Sequence, residues 1–241
     1  MSNPATSRPS IADLVGRDGF AFVHAAEMGG VLATQGLTGW DAFAASWDDL
    51  GLDTYMADGG RYRRRRHGVF AAGPEEITRL PDQPHYQSRD YNALNGGIAR
   101  WFEPVTAAVE HSAAFGAILR TCQLVFDTLT PGVPHWRVEV HQFRIEAHPD
   151  QAGQPTPEGM HRDGVDWVLV LMVRRENIAS GQTTIHDLDR RMLGSFTLAQ
   201  PMDAAWVDDS RVYHGVTPVE PRNPAQPAFR DVLVVTFRRE D

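Results

Sequence analysis

Gly159-Met160-His161-Arg162-Asp163-Gly164-Val165-Asp166-Trp167-Val168-Leu169-Val170-Leu171-Met172-Val173 joins two textures. From Val165 onward it is mostly aliphatic and β-branched, and reads as a buried strand. The front half sets His161 and Asp163 two apart, so on an extended chain both project from one face. A second imidazole follows much later, in Val212-Tyr213-His214-Gly215-Val216-Thr217-Pro218. Two neutral imidazoles and one carboxylate on one face, with the opposite face open, form the donor set that holds non-haem Fe(II). His161, Asp163 and His214 are therefore read as metal ligands, and the protein as a metal-dependent oxygenase. A His-x-Asp is common by itself. Its weight comes from its place after the Pro-containing loop 149–159, before a buried strand and upstream of another His.

Outward from this stretch the chain is strand-rich. Trp136 to Ile145 alternates polar and apolar residues. Short strands are expected at 182–186, 194–198 and 204–207 and beside His214, with a strong closing strand over 229–239. The first half is more helical. A short helix is expected at Ile11–Val15 and a turn into a strand at Asp18–Val23. Two helical patterns between Met28 and Leu50 are broken by Gly36 and Gly39. One long amphipathic helical region is expected from Ile98 to Phe126, with Trp101, Phe102, Val105, Val109 and Phe115 in its apolar stripe. Residues 1–10 are polar, contain two prolines and are expected to be loose. The pattern is mainly β with α: a double-stranded β-helix, or jelly roll, with flanking N-terminal helices, in one domain over 1–241.

The 241 residues carry a formal charge of −8, which argues against a nucleic-acid binder or a partner of anionic membranes. A single cysteine, Cys122, excludes an internal disulfide and a multi-Cys zinc site. It reads as a small buried hydrophobe. There is no lysine; the 23 basic residues are all Arg. Schiff-base chemistry and a Walker-type phosphate loop are thereby excluded. Anions would be gripped by the planar Arg fork. The start, Met-Ser-Asn-Pro-Ala-Thr-Ser, has no basic-then-apolar signal, so a cytoplasmic location is expected.

The run Arg61-Tyr62-Arg63-Arg64-Arg65-Arg66-His67 has two readings. It is a charged edge strand that discourages pairing, or a strand with one arginine face in a pocket. Arg64 and Arg66, with Arg144 from the strand at 136–145, are the candidates for holding a substrate carboxylate. His186 and His141 are read as structural. His24, His67, His85, His111, His135 and His148 lack metal spacing. His161-Arg162-Asp163 also spells the kinase catalytic triplet, but the partner motifs of a kinase are missing.

His161-x-Asp163, then His214-Gly215-Val216-Thr217-Pro218, then Phe229-Arg230-Asp231-Val232-Leu233 together resemble the iron- and 2-oxoglutarate-dependent dioxygenases. The similarity includes Leu52-Asp53-Thr54-Tyr55 and Tyr62-Arg63-Arg64-Arg65. It points to the bacterial branch of isoleucine-dioxygenase-type amino-acid hydroxylases and their biofilm- and stress-associated relatives. The resemblance implies Fe(II) on His161, Asp163 and His214, with the distal carboxylate of 2-oxoglutarate on Arg230. It implies hydroxylation of a small molecule, a free amino acid or derivative. The chain departs from many relatives at Val232, where they carry Ser or Thr, so the second contact to 2-oxoglutarate is unassigned. No nucleic-acid or membrane partner is expected; a homodimer is compatible with the sequence.

Two other readings stand beside this one. The same barrel could bind metal and ligand in a stress or biofilm response with little or no turnover. It could also be a metal-dependent isomerase or hydrolase, for which Arg230 would be dispensable.

Overall fold

The computed structural model describes residues 8–92 and 94–240. The loose start expected for residues 1–10 falls mainly outside them. Ser10 caps α1 (Ile11–Asp18) through a reciprocal bond with Asp13. Gly19, at φ 80°, ends the helix and turns the chain into β1 (Phe20–Val23). Then come α2 (Ala25–Thr34), α3 (Trp40–Ala45) and a 3-10 turn at Ser46–Asp49. The arginine run becomes β2 (Arg63–Ala72), followed by the short β3 (Ile77–Arg79).

The long helix expected from Ile98 does not form as one piece. Instead α4 (Ala107–Glu110) and α5 (Ala113–Leu129) start at their own caps, Thr106 and Ser112. Pro104 explains the difference, because it lacks an N–H and keeps Glu103 out of helical geometry. Residues 98–105 run across β2 instead. Arg100 pairs with His85 and Pro104 with His67. Trp101, expected in the helix stripe, is exposed.

The β-rich half follows the expected order, with β4 (Trp136–Glu146), β5 (Trp167–Glu176), β7 (Thr183–His186), β8 (Met192–Phe196), β9 (Ala204–Asp208), β10 (Tyr213–Val216) and β12 (Phe229–Arg239). Two three-residue strands, β6 (Ile178–Ser180) and β11 (Val219–Pro221), complete it. The large sheet has the order β1-β9-β5-β12-β4-β2-β3; β10-β7-β8 and β11-β6 are separate small sheets. The fold is the mainly antiparallel jelly-roll core expected, with helices at its N-terminal side.

The two faces of the large sheet divide the work. Val138, Val140, Leu169, Leu171, Leu233, Val235 and Phe237 point toward the helices. There Phe126 of α5 stacks on Trp167 and meets Trp206 and Phe237 edge-on. The alternate residues of β4, β5 and β12 point to the other side. Val168, Met172, Val232 and the β9 residue Ala205 there pack into two smaller apolar clusters. Beyond those clusters the same side opens into a polar cavity. Among the described residues no helix is long and apolar enough to cross a membrane.

Candidate active site

His161 lies on the loop before β5, and His214 lies in β10. Their backbones exchange two hydrogen bonds of 2.9 Å each, which brings residues remote in the chain side by side. The imidazole centroids are 4.5 Å apart. Both Nε2 atoms face Asp163, 3.6 Å from its Oδ1 (His161) and 3.6 Å from its Oδ2 (His214). The three expected residues therefore converge on one point. At Nδ1, His161 faces the Gly159 carbonyl at 3.1 Å, with Glu158 Oε1 3.5 Å away, so Nδ1 is the donor to these acceptors and Nε2 is the atom turned inward.

The loop carrying Asp163 is held by Asp209. Its buried carboxylate accepts from the backbone N–H of Asp163 (2.8 Å), Gly164 (2.7 Å) and Val165 (3.1 Å). Gly164 adopts φ 80°, and a Cβ there would strike the Tyr91 ring. Asp209 has no motif of its own. All its contacts are to backbone, so nothing in the sequence pointed to it.

Charge is strongly shaped here. Burial works against the Asp163 carboxylate, but the two imidazoles hold it well below its usual range. Burial lowers the His214 imidazole to about 4, helped by the charge of His161. For His161 burial is overridden by the bond to Asp163, and the group rises to about 9. Asp209 is pushed up to about 7 by burial and by the Asp163 charge, against its three N–H donors. Three donors with Asp163 ionised suit a divalent cation, which would replace the proton that Asp163 favours on His161.

Arg230 is 2% exposed and lines the same cavity. Its Nε has no partner, and no carboxylate of the described residues lies within salt-bridge distance. Burial lowers it to about 10, with Arg175 adding repulsion. Val232, two residues on, also faces the cavity and has no hydrogen bond to offer.

The arginines expected to hold a carboxylate do not face this cavity. Arg64 pairs with Glu146 at 2.7 Å, and Arg66 with Asp49 at 3.1 Å. Arg144 is bonded through Nε to Asp231 at 2.7 Å and through Nη2 to Asp48 at 2.9 Å. Strand register is the cause. β2 sets Arg63 opposite Ile145 and Arg65 opposite Phe143, and these four line the cavity. The alternate positions, Arg64 opposite Arg144 and Arg66 opposite Gln142, must then point away. Asp53 is the buried anchor of the inward pair, 2.8 Å from Arg63 and 3.7 Å from Arg65.

Histidines without metal spacing also gather in the cavity wall. Glu139 accepts from His67 at 3.1 Å and His85 at 2.7 Å, and Arg65 donates to His141 Nδ1 at 2.7 Å. Ligand atoms of His67, His85, Glu139 and His141 fall within 4.8 Å of one another. The group satisfies itself without an ion, as ionised Glu139 with neutral imidazoles. Burial lowers His67 and His141 and takes His85 to about 4. The shared parity of Glu139 and His141 on β4, and of Arg65 and His67 on β2, was the available signal, and register sets His67 opposite His141. His186 sits apart, bonded to the Arg190 carbonyl, as expected of a structural histidine.

A family model described as 2OG-Fe dioxygenase matches residues 44–236. The chain belongs to that family. It is an oxidoreductase that works with Fe(II) and 2-oxoglutarate. The dioxygenase is 27% identical over 170 residues to a 3(1)-hydroxy-L-isoleucine 4-dioxygenase from Pantoea ananatis, covering 69% of this chain and 68% of that protein. It also resembles the crystal structure of a bsmA homolog from Methylobium petroleophilum, with 35% identity and a TM-score of 0.85 over 95% of this chain and 92% of that one. A structure of IDO from Bacillus thuringiensis shares the fold, with 17% identity and a TM-score of 0.76, covering 96% and 98% of the two chains.

Asp209→Ala is expected to lower the affinity for added Mn(II) about 10- to 100-fold, as loss of outer support around a metal ligand does. Fluorescence titration with the fold checked by circular dichroism measures this; an unchanged affinity would show that the loop holds itself. Between pH 6.5 and about 4 the unfolded chain binds protons that buried His85 refuses. Stability should therefore fall as pH falls through that window, by up to about 3 kcal/mol for this group. Urea midpoints at pH 7 and 5 check the sign, and His85→Gln should flatten the slope.

Proposed function

We propose that the enzyme hydroxylates a free amino acid or a close derivative, with Fe(II) on His161, Asp163 and His214 and the distal carboxylate of 2-oxoglutarate on Arg230. The observation that carries the assignment is Arg230. An uncompensated guanidinium buried in a cavity is costly, and a bidentate carboxylate is the partner its planar fork suits. The isoleucine-derived substrate named for the Pantoea relative supports the amino-acid reading.

Fe(II), held by these three side chains, would supply oxygen activation: one atom of O2 would enter succinate as 2-oxoglutarate loses CO2, and the other would enter a substrate C–H bond as hydroxyl. The protein's own residues position the reactants. Asp209 fixes the Asp163 loop, and the Gly159 carbonyl keeps the His161 proton on Nδ1. Arg230 sets the direction in which 2-oxoglutarate enters. Val170, Val216, Val232 and Val234 form an apolar wall beside these polar groups and keep water from the reacting carbon. Val232 gives the cosubstrate chain an apolar contact where a hydroxyl would give a bond.

Arg230→Gln should raise the Kd for 2-oxoglutarate roughly 10- to 100-fold, the scale of a lost charged hydrogen bond, while Mn(II) binding stays unchanged. Anaerobic calorimetry reads both. Wild-type affinity in the variant would remove Arg230 from the cosubstrate site. Succinate release in air, screened over amino acids, tests turnover; release stimulated by none of them or their derivatives would refute the substrate class.

A further inference from the structure

We infer that the cavity binds its primary substrate as an unmodified α-amino acid zwitterion, with the carboxylate on Arg100 and the ammonium on Glu158. This rests on the reading that Arg230 serves 2-oxoglutarate, and it names what the remaining space is built for.

Arg100 repeats the predicament of Arg230. It is 2% exposed and lines the cavity, and its guanidinium makes no hydrogen bond and no ion pair among the described residues. Burial depresses it, and Arg63 adds to the effect. Two backbone bonds of 2.9 Å to His85 hold it in place. Its side chain thus points where that of His85 points, toward the Glu139 group. Pro104 makes this possible. A helix through residue 100 would have turned the guanidinium elsewhere.

Glu158 supplies the opposite charge. Its side chain is 9% exposed and its Oε1 lies 3.5 Å from His161 Nδ1. Its Oε2 is buried without a partner. Glu158 and Arg100 line one cavity, and Glu158 is among the charges that hold the Arg100 guanidinium up. They make no salt bridge with each other. A buried guanidinium without a partner and a buried carboxylate with one oxygen unengaged, both on one cavity, fit a ligand that carries both charges.

The charge balance agrees. Arg63, Arg65, Arg100, Arg137, Arg230 and Arg238 line the cavity, against Glu139, Glu158 and Asp163. Glu139 is already engaged by His67, His85 and Arg137. Asp163 is engaged by two imidazoles. Cations therefore remain in excess inside a chain that is negative overall, which suits two entering carboxylates. Arg65 is not a free hand. Phe102 and Phe143 flank it at 3.8 and 4.5 Å, and its Nη2 is spent on His141. It backs Arg100 with charge.

The test is anaerobic calorimetry on the full chain loaded with Mn(II) and 2-oxoglutarate, using the twenty proteinogenic L-amino acids as probes. The tightest binder is then compared with its carboxamide and its N-acetyl derivative. Each blocked form should bind roughly 10- to 100-fold more weakly. Arg100→Gln should weaken the free acid on that scale and lose discrimination against the carboxamide. Glu158→Gln should do the same toward the N-acetyl form. In Arg100→Gln the Kd for 2-oxoglutarate should stay unchanged and Tm should not fall, because no existing bond is removed. Binding by none of the amino acids, a carboxamide as tight as its acid, or wild-type affinity in Arg100→Gln would each overturn the inference. The comparison on wild-type protein decides even if a variant fails to fold. Arg100-dependent binding without succinate release in air would leave this inference standing and refute the hydroxylase; hydroxylation of the carboxamide would do the reverse.

Discussion

The paired backbone hydrogen bonds between His161 and His214 are the constraint on which the site depends. One residue arrives on the loop that feeds the large sheet, the other on a strand of a small sheet. Neither imidazole has a reason to meet the other unless the two sheets close face to face. The closure is supplied by Val168 and Val207 on the inner face of the large sheet, with Val212 from the connection before β10 and Ile185 from the small sheet. Buried apolar area therefore works at a distance here. It sets the spacing of two ring nitrogens that are polar and make no contribution to the core.

Inside that frame the cavity wall carries charges in two conditions. Arg63 with Asp53, and Glu139 with His67 and His85, are satisfied within the protein. Arg230, Arg100 and Glu158 retain unmet donors or acceptors. A buried polar atom without a partner costs on the order of 1–3 kcal/mol, more when it is charged. The fold tolerates such atoms on the lining of one cavity, while Phe126, Trp167, Trp206 and Phe237 pack ring against ring on the helix-facing side.

Much of this was legible in the chain. The spacing of His161 and Asp163, the later His214 and the strand ending at Arg239 led to the right fold and to three side chains that do converge. The arginine run misled for a physical reason. Every position from 63 to 66 is charged, so alternation leaves no trace of which parity is inside, and only pairing with β4 settles it. Apolar spacing continues unbroken over 98–126, but Pro104 bars a helix through its front, and the two helices that form start behind it at Thr106 and Ser112. Asp209 and Glu158 were invisible because their roles depend on backbone groups and on neighbours far along the chain. His67, His85 and His141 had no ligand spacing, and their meeting with Glu139 is a product of register between two strands.

The central claim is that one cation and one dicarboxylate share a cavity in a fixed orientation. A crystal structure of the protein grown anaerobically with Mn(II) and 2-oxoglutarate tests it most directly. The account requires a single strong ion peak bonded to His161, Asp163 and His214, with the keto-acid end of 2-oxoglutarate on the ion and the far carboxylate on Arg230. An ion among His67, His85, Glu139 and His141 instead, or a far carboxylate seated on Arg100 with Arg230 left bare, would contradict it.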